Sequence, residues 1–179
     1  NAAIVVGITP EDYAEFDPSG SPLAGIALQR HWEEIAFKLG GETYEAPAQK
    51  VGDFLAGTPS ETLGAVVNSY TPGVRLGDLS TALPRYAIEA IREALPAFGK
   101  QIKGFDMSDA LLTGVETRTS SPVRLTRGDD GQSLNTRGLF TAGEGAGYAG
   151  GILSAGVDGI RAAEWVAEAM IEAGTALPA

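Results

Sequence analysis

GLFTAGEGAGYAGGILSAGVDGIRAA, running from Gly138 to Ala163, is the stretch whose reading decides the fold. It opens on the short apolar run Leu139, Phe140, Thr141 and Ala142, and passes through Gly143, Gly145, Gly147, Gly150 and Gly151. It then enters a segment of helical composition. The predicted order is a strand at Leu139–Ala142, a glycine-rich loop, and a helix from Gly151 to Ala173. Glycine permits positive φ and leaves main-chain atoms open to a ligand that a Cβ would hold away. The first turn of a helix adds unpaired N–H groups and a partial positive charge. Loops of this kind bind anionic or polar cofactor groups. The plainer alternative is a glycine-rich turn that serves only tight strand–helix packing.

Gly145-x-Gly147-x-x-Gly150 fits the GxGxxG pattern, but a Rossmann dinucleotide site is rejected. That fingerprint needs a second parallel strand after the helix, ending near an acid that takes the ribose. The only acids near the expected distance, Glu164 and Glu168, lie in helical sequence close to the last residue, Ala179.

Working outward, Val115, Thr117 and Thr119 alternate with Glu116, Arg118 and Ser120, and Val123 and Leu125 with Arg124 and Thr126. Two strands are predicted around the turn Ser120-Ser121-Pro122. Ala87, Ile88, Ile91, Ala94, Leu95 and Phe98 share a helical stripe, which predicts a helix from Pro84 to Phe98 with Pro96 at its end. Thr58-Pro59-Ser60-Glu61 has the form of a capping box and predicts a short helix. Ser21-Pro22 predicts the start of an amphipathic helix that carries Leu28, Trp32, Ile35, Ala36 and Leu39 and stops at Gly40-Gly41. Ala2–Ile8 reads as a buried strand. The expected class is α/β, with a mixed α/β region over 1–110 and return strands plus strand–loop–helix over 111–179.

The balance of 13 Lys plus Arg against 23 Asp plus Glu gives a net charge of −10, which disfavours nucleic acid as a partner. With no cysteine in the sequence, disulfides, Fe–S ligation and a redox dithiol are excluded from this chain, so electron chemistry here needs a bound cofactor. No apolar run approaches the ~20 residues of a membrane helix, and no membrane partner is expected. The first residue is Asn1 and no basic segment precedes an apolar stretch, so neither a native start nor a signal peptide is visible; the simplest reading is a fragment that begins inside a strand, from a cytoplasmic protein.

LFTAGE, the glycine loop and the helix beginning GGILSAGVDGIRAAEW resemble the last motif of two-dinucleotide-fold flavoproteins of the glutathione reductase class. More closely, NAAIVVGITPED, PLAGIALQRHWEEIAFKLGG, APAQKVGDFL, ETRTSSPVRLTR and GLFTAGEGAGYAGGILSAGVDGIRAAE together are similar to the C-terminal half of a bacterial family of FAD-dependent dehydrogenases of unassigned activity. The resemblance implies an FAD-dependent oxidoreductase, of which this chain supplies most of the substrate domain and the final strand–loop–helix of the FAD domain. Glu144 matches the acid that accepts hydrogen bonds from the ribityl chain, with Gly143, Gly145, Ala146 and Gly147 beside it. Gly150, Gly151 and Ile152 match the helix start that faces the flavin pyrimidine. The implied partner is the N-terminal FAD-binding half of the same protein, which grips the ADP; without it, tight FAD binding is not expected.

The resemblance also raises the reading that Arg118, Ser120, Ser121 and Pro122 line the active site, against a hairpin with exposed arginines. Tyr148 either stacks on the flavin or covers it. His31, the sole histidine, excludes a multi-histidine metal site within this chain and is read as a surface or boundary residue ahead of a proton-transfer role. Asp129-Asp130-Gly131 resembles half a calcium loop but lacks the further ligands, so it is read as a solvated turn and no metal is expected. Catalytic residues and substrate are not assigned. Two other classes stay open: a non-catalytic module binding a small anion or nucleotide at the helix N-terminus, and a structural or interaction domain.

Overall fold

A computed structural model describes residues 2–21, 23–118, 121 and 123–174. The class is α/β, with five α-helices, one short 3-10 helix and two small sheets among the described residues. The chain divides into two compact units, the first made of 1–19 and 27–117, the second of 20–26 and 118–179.

In the first unit β1 (Ala46–Lys50) is the middle strand, parallel to β2 (Val74–Leu76) and antiparallel to β3 (Leu111–Thr113). Helix α4 (Arg85–Gln101) lays Ala87, Ile88, Ile91 and Leu95 inward, as the periodicity predicts. Ile88, Ile91 and Leu95 pack with Val51 and Phe54 of α3 (Val51–Ala56), Leu79 and Ala82. Each such side chain, fully buried, contributes about 1.5–3 kcal/mol. Pro96 lies inside α4 and does not end it.

Helix α2 (Ala24–Leu39) ends as expected at Gly40-Gly41. Gly41 takes φ +84°, its N–H donates to Lys38 O at 3.0 Å, and the Glu42 N–H donates to Phe37 O at 2.9 Å. These two bonds are the Schellman pattern that satisfies the last carbonyls of a helix.

Three expectations are corrected. Ala2–Ile8 is not a strand; Ile4 and Val6 rest half-buried against the core, while Val5 and Ile8 are exposed. A short helix, α1 (Pro10–Tyr13), follows, in which Asp12 Oδ2 accepts from the Thr9 N–H at 2.7 Å. No helix starts at Thr58, because long-range bonds hold that segment extended. Thr58 O accepts from Gln49 Nε2 at 2.6 Å and the Ser60 N–H donates to Gly77 O at 3.0 Å. The Ser60 hydroxyl donates to Asp53 Oδ2 at 2.6 Å and accepts from the Lys50 N–H at 2.9 Å. A local capping signal worth about 1 kcal/mol loses to four such bonds.

The third correction concerns 115–126, whose described residues form no strand and are held by single bonds instead of a ladder. In the first unit Thr117 O accepts from Gln29 Nε2 at 3.0 Å. In the second, the Leu125 N–H donates to Ala146 O and Thr126 O accepts from the Leu134 N–H, each at 3.1 Å. Thr119, Ser120 and Pro122 lie outside the described residues. The second unit consists of the antiparallel pair β4 (Gln132–Ser133) and β5 (Thr136–Phe140), the glycine loop, and α5 (Ile152–Glu172). The order strand, loop, helix is as predicted, although β5 ends at Phe140.

Gln49, wholly buried, uses both ends of its amide: Nε2 on Thr58 O, and Oε1 accepting from the Leu79 N–H at 2.9 Å. Gln49→Leu strands both backbone groups in the core and is expected to destabilise the first unit by about 2–4 kcal/mol. Trp32 and Trp165, the two tryptophans, report on the first and second units respectively. Urea unfolding followed by fluorescence, with each tryptophan replaced in turn by Phe, checks this; an unchanged Trp32 transition would contradict it.

Candidate functional site

The glycine loop owes its shape to one carboxylate. Asp158 lies on the face of α5 that also carries Ala155, Ala162 and Trp165, positions one helical turn apart. Its Oδ2 accepts from the Gly143 N–H at 2.8 Å and from Arg127 Nη1 at 2.9 Å, and its Oδ1 accepts from Arg127 Nη2 at 2.6 Å. Both side chains are nearly buried. Arg127 Nη1 also donates to Thr141 O at 2.6 Å, and the guanidinium sits 3.8 Å over the Tyr148 ring and 4.8 Å over Trp165. One fork thus ties the end of β5, the loop and the helix together, a geometry that suits a planar guanidinium better than an ammonium.

Arg127 and the Gly143 N–H hold the Asp158 carboxyl down at about 2, against an ordinary 3.8. The same pairing raises Arg127 above its usual range. Close by, Gly131 takes φ +76° and packs so tightly on the Trp165 ring that a Cβ would overlap it. Asp130, expected in a solvated turn, accepts from the Gln132 N–H and from Gln132 Nε2, each at 3.1 Å.

The loop residues divide into two sets. Gly143, Ala146, Gly147 and Tyr148 face the protein. Gly143 has φ +71°, and Ala146 is buried with its carbonyl on the Leu125 N–H. Gly147 has φ +79°, and a Cβ there would come within 2.7 Å of Val123 O. Gly147 O accepts from Arg124 Nε at 3.0 Å. The Tyr148 N–H donates to Gly143 O at 3.1 Å, while its hydroxyl accepts from the Arg127 N–H at 2.9 Å.

Glu144, Gly145, Gly150, Gly151 and Ile152 are exposed. The Glu144 carboxylate makes no hydrogen bond or ion pair among the described residues, and nothing stands within 4 Å of where a Gly145 Cβ would be. At the helix start the Gly151 N–H donates to Ser154 Oγ at 3.2 Å, and Ser154 Oγ donates back to Gly151 O at 2.9 Å. The next amides, at Ile152 and Leu153, have no partner within the helix, as in any first turn. What the arrangement offers chemically is a free carboxylate acceptor, open main chain and a bare helix N-terminus on one short loop.

Elsewhere, the Ser121 hydroxyl donates to Val123 O at 2.7 Å, and Arg118 is exposed at the start of the second unit; Ser120 and Pro122 lie outside the described residues. His31, exposed, lies against the rings of Phe16 and Trp32. Among the described residues no group of three His, Cys, Asp or Glu side chains is placed to hold a metal, and no helix is long and apolar enough to cross a membrane.

Residues 1–119 match the family described as FAD-dependent protein, C-terminal domain-like. The chain belongs to that family. The matched residues cover the whole of the first unit, and the glycine loop follows them. An uncharacterised protein of Clostridium beijerinckii is 51% identical over 168 residues, which is 94% of this chain and 31% of that protein. This member of the FAD-dependent family therefore spans about a third of the length of the curated relative it matches.

The Arg127–Asp158 pair was missed in the sequence. A signal for it exists: an acid in the stripe Ala155, Asp158, Ala162, Trp165 must meet a buried cation or stay exposed.

Because Asp158 is depressed in the folded state, its contribution to stability is full above the unfolded value near 4 and fades as pH falls toward 2. The magnitude is on the order of 2 kcal/mol. Asp158→Asn should lose this acid-sensitive step, so the gap between wild type and variant in thermal melts should close between pH 4 and pH 2. A constant gap would show that the carboxylate charge is not what holds the loop. Gly147→Ala, strained by its φ and blocked by Val123, should cost about 1–3 kcal/mol in the same melts.

Proposed function

We propose that the chain supplies the ribityl and isoalloxazine side of the FAD site in a longer FAD-dependent oxidoreductase. The observation that carries this is the Glu144 carboxylate, exposed and unengaged, set between the Asp158-anchored Gly143 and the open main chain of Gly145. Exposed on a loop stiffened from below, this carboxylate is free to accept from ribityl hydroxyls. The helix entry at Gly150, Gly151 and Ile152 would stand toward the flavin pyrimidine, where the helix dipole favours negative charge as the flavin is reduced. When bound, FAD itself supplies the redox chemistry. In this reading Arg118, Ser120, Ser121 and Pro122 border the substrate space and Tyr148 supports the loop from behind. The N-terminal part of the longer protein holds the ADP half, and a small-molecule substrate is oxidised or reduced in the cytoplasm.

A second reading, a small anion bound at the helix N-terminus without catalysis, is favoured by the exposure of Gly150 through Ser154. The two separate on Glu144, since a carboxylate beside the site opposes an anion and helps a polyhydroxyl chain. In the intact protein Glu144→Ala should weaken FAD binding about ten- to a hundredfold, as loss of a charge-assisted bond worth about 1.5–3 kcal/mol, and Glu144→Asp should do less harm. Melts of the apo proteins should coincide, because the side chain supports nothing. Equal FAD affinities would sink the ribityl assignment, and tighter phosphate binding by Glu144→Ala would favour the anion. The 179 residues alone should bind FAD far more weakly than the intact protein, since half the cofactor's contacts, and the effective concentration that links them, are lost.

A further inference from the structure

Arg124 is held against the glycine loop by neutral groups. Its Nε donates to Gly147 O at 3.0 Å, and its guanidinium carbon lies 4.9 Å from the centre of the Tyr148 ring. The backbone on either side is fixed as well. The Leu125 N–H donates to Ala146 O at 3.1 Å, and a Cβ on Gly147 would stand 3.0 Å from Arg124 Cα. Tyr148 is itself pinned, its hydroxyl accepting from the Arg127 N–H at 2.9 Å and its own N–H donating to Gly143 O at 3.1 Å. Arg124 is nevertheless exposed, and both its Nη groups are unengaged among the described residues. Arg30 and Arg137, also exposed, make no hydrogen bond, ion pair or ring contact there at all. Long side chains of that kind sweep many rotamers, whereas the stem of Arg124 is ordered before anything binds.

Lys38, Lys50, Arg85 and Arg127 each pair with a carboxylate, on Glu34, Asp53, Glu89 and Asp158. Arg124 does not, although an acid is at hand. Glu144 sits on the same turn, which the Gly147 N–H closes by donating to Glu144 O at 2.9 Å. The two opposite charges border one turn and form no ion pair with each other. A planar fork with both ends free suits an acceptor that offers two oxygens side by side, a carboxylate or a phosphate. Charge decides between these. One guanidinium balances the single charge of a carboxylate, whereas a phosphate monoester carries about −1.5 to −2 near neutral pH, with the charge of Glu144 added on the same turn. The carboxylate is the match.

We infer that Arg124 anchors the carboxylate of a small organic acid beside the glycine loop, and that the substrate is an acid of this class. The inference names the substrate class of the proposed flavin site and rests on that reading. Arg124 holds the acid in place; the carboxylate is its handle and not its reacting group.

Phenylglyoxal, which condenses with accessible guanidinium groups, tests this on the unsubstituted, intact longer protein, with modification at each arginine quantified by peptide mass. The probes are acetate, pyruvate, succinate and benzoate, with acetamide and benzamide as neutral counterparts and inorganic phosphate as the competing anion. Arg124 is expected to react in the FAD-loaded protein without a probe. At least one carboxylate should slow that reaction along a single-site curve, the amides should not, and Arg85 should react at one rate throughout. Binding of the same carboxylate, read from the flavin difference spectrum, should weaken about tenfold in Arg124→Lys, which keeps the charge without the fork, and further in Arg124→Met. Failure of every carboxylate to protect overturns the inference, as does better protection by phosphate. Arg124 unreactive before any probe is added, but reactive in denaturant, would give the fork to an acid elsewhere in the polypeptide; loading with FAD as the only protection would give it to the cofactor. Either overturns it. FAD uptake is scored separately: protection by a carboxylate in a protein that takes up no FAD supports the acid site and counts against the proposed function, whereas FAD uptake without protection does the reverse.

Discussion

Everything in the second unit hangs on the carboxylate of Asp158. An acid on the inward stripe of α5 would cost several kcal/mol if left unpaired, and that cost is removed by a single arginine and one backbone amide. The consequence is geometric more than energetic. With both oxygens engaged by Arg127 and one also by the Gly143 N–H, the position of the helix, the direction of the first loop peptide and the end of β5 at Thr141 are set together. The rings of Tyr148 and Trp165, stacked on the guanidinium, exclude water from it and so strengthen the pair.

The first unit solves a similar problem with a neutral group. Its central strand, Ala46-Pro47-Ala48-Gln49-Lys50, is short of large apolar side chains, and the polar Gln49 is its most buried member together with Ala48. By bridging Thr58 O and the Leu79 N–H, Gln49 satisfies loop groups that would otherwise lie unpaired beside the core. Arg92 does related work from α4, with its Nε donating to Phe54 O at 3.0 Å over the Phe54 ring. In both units a side chain with two or more donors or acceptors stands where the backbone has no ladder of its own.

Legibility in the sequence follows from this. The α4 stripe, the stop of α2 at Gly40-Gly41 and the strand–loop–helix order could be read, because each is written in periodicity or in glycine within one element. β1 could not: Pro47 lacks an N–H and Ala48 and Gln49 carry no β preference, so only tertiary burial makes it a strand. Thr58-Pro59-Ser60-Glu61 reads as a capping box because the bonds that override it come from Gln49, Lys50, Asp53 and Gly77, remote from the local signal. The alternation over 115–126 is genuine, yet alternation describes only which side of an extended chain is apolar; pairing requires a partner edge, and the described residues offer single bonds in its place. At the candidate site the glycines announced a loop with open backbone, while the groups that shape it, Arg127 and Asp158, stand 16 positions before and 15 after Gly143.

The division of the loop into an inward and an outward set bears on what it could bind. A loop that folds only around its ligand spends part of the binding energy on ordering itself, about 1–2 kcal/mol for each residue fixed. Here Gly143, Ala146, Gly147 and Tyr148 are held by bonds to Asp158, Leu125, Arg124 and Arg127 that do not involve any ligand. Of the outward set, Glu144 and Gly145 are therefore carried on a backbone already fixed on both sides, and the ordering cost left at these two positions is essentially that of the Glu144 side chain. In the site as proposed, hydroxyls spaced to reach the Glu144 carboxylate would gain a charge-assisted bond, whereas an anion placed there would meet repulsion that the helix N-terminus must first overcome. Asp158 beneath the loop is thus paired within the protein, while the Glu144 carboxylate above it stays exposed on a backbone that the pair holds in place.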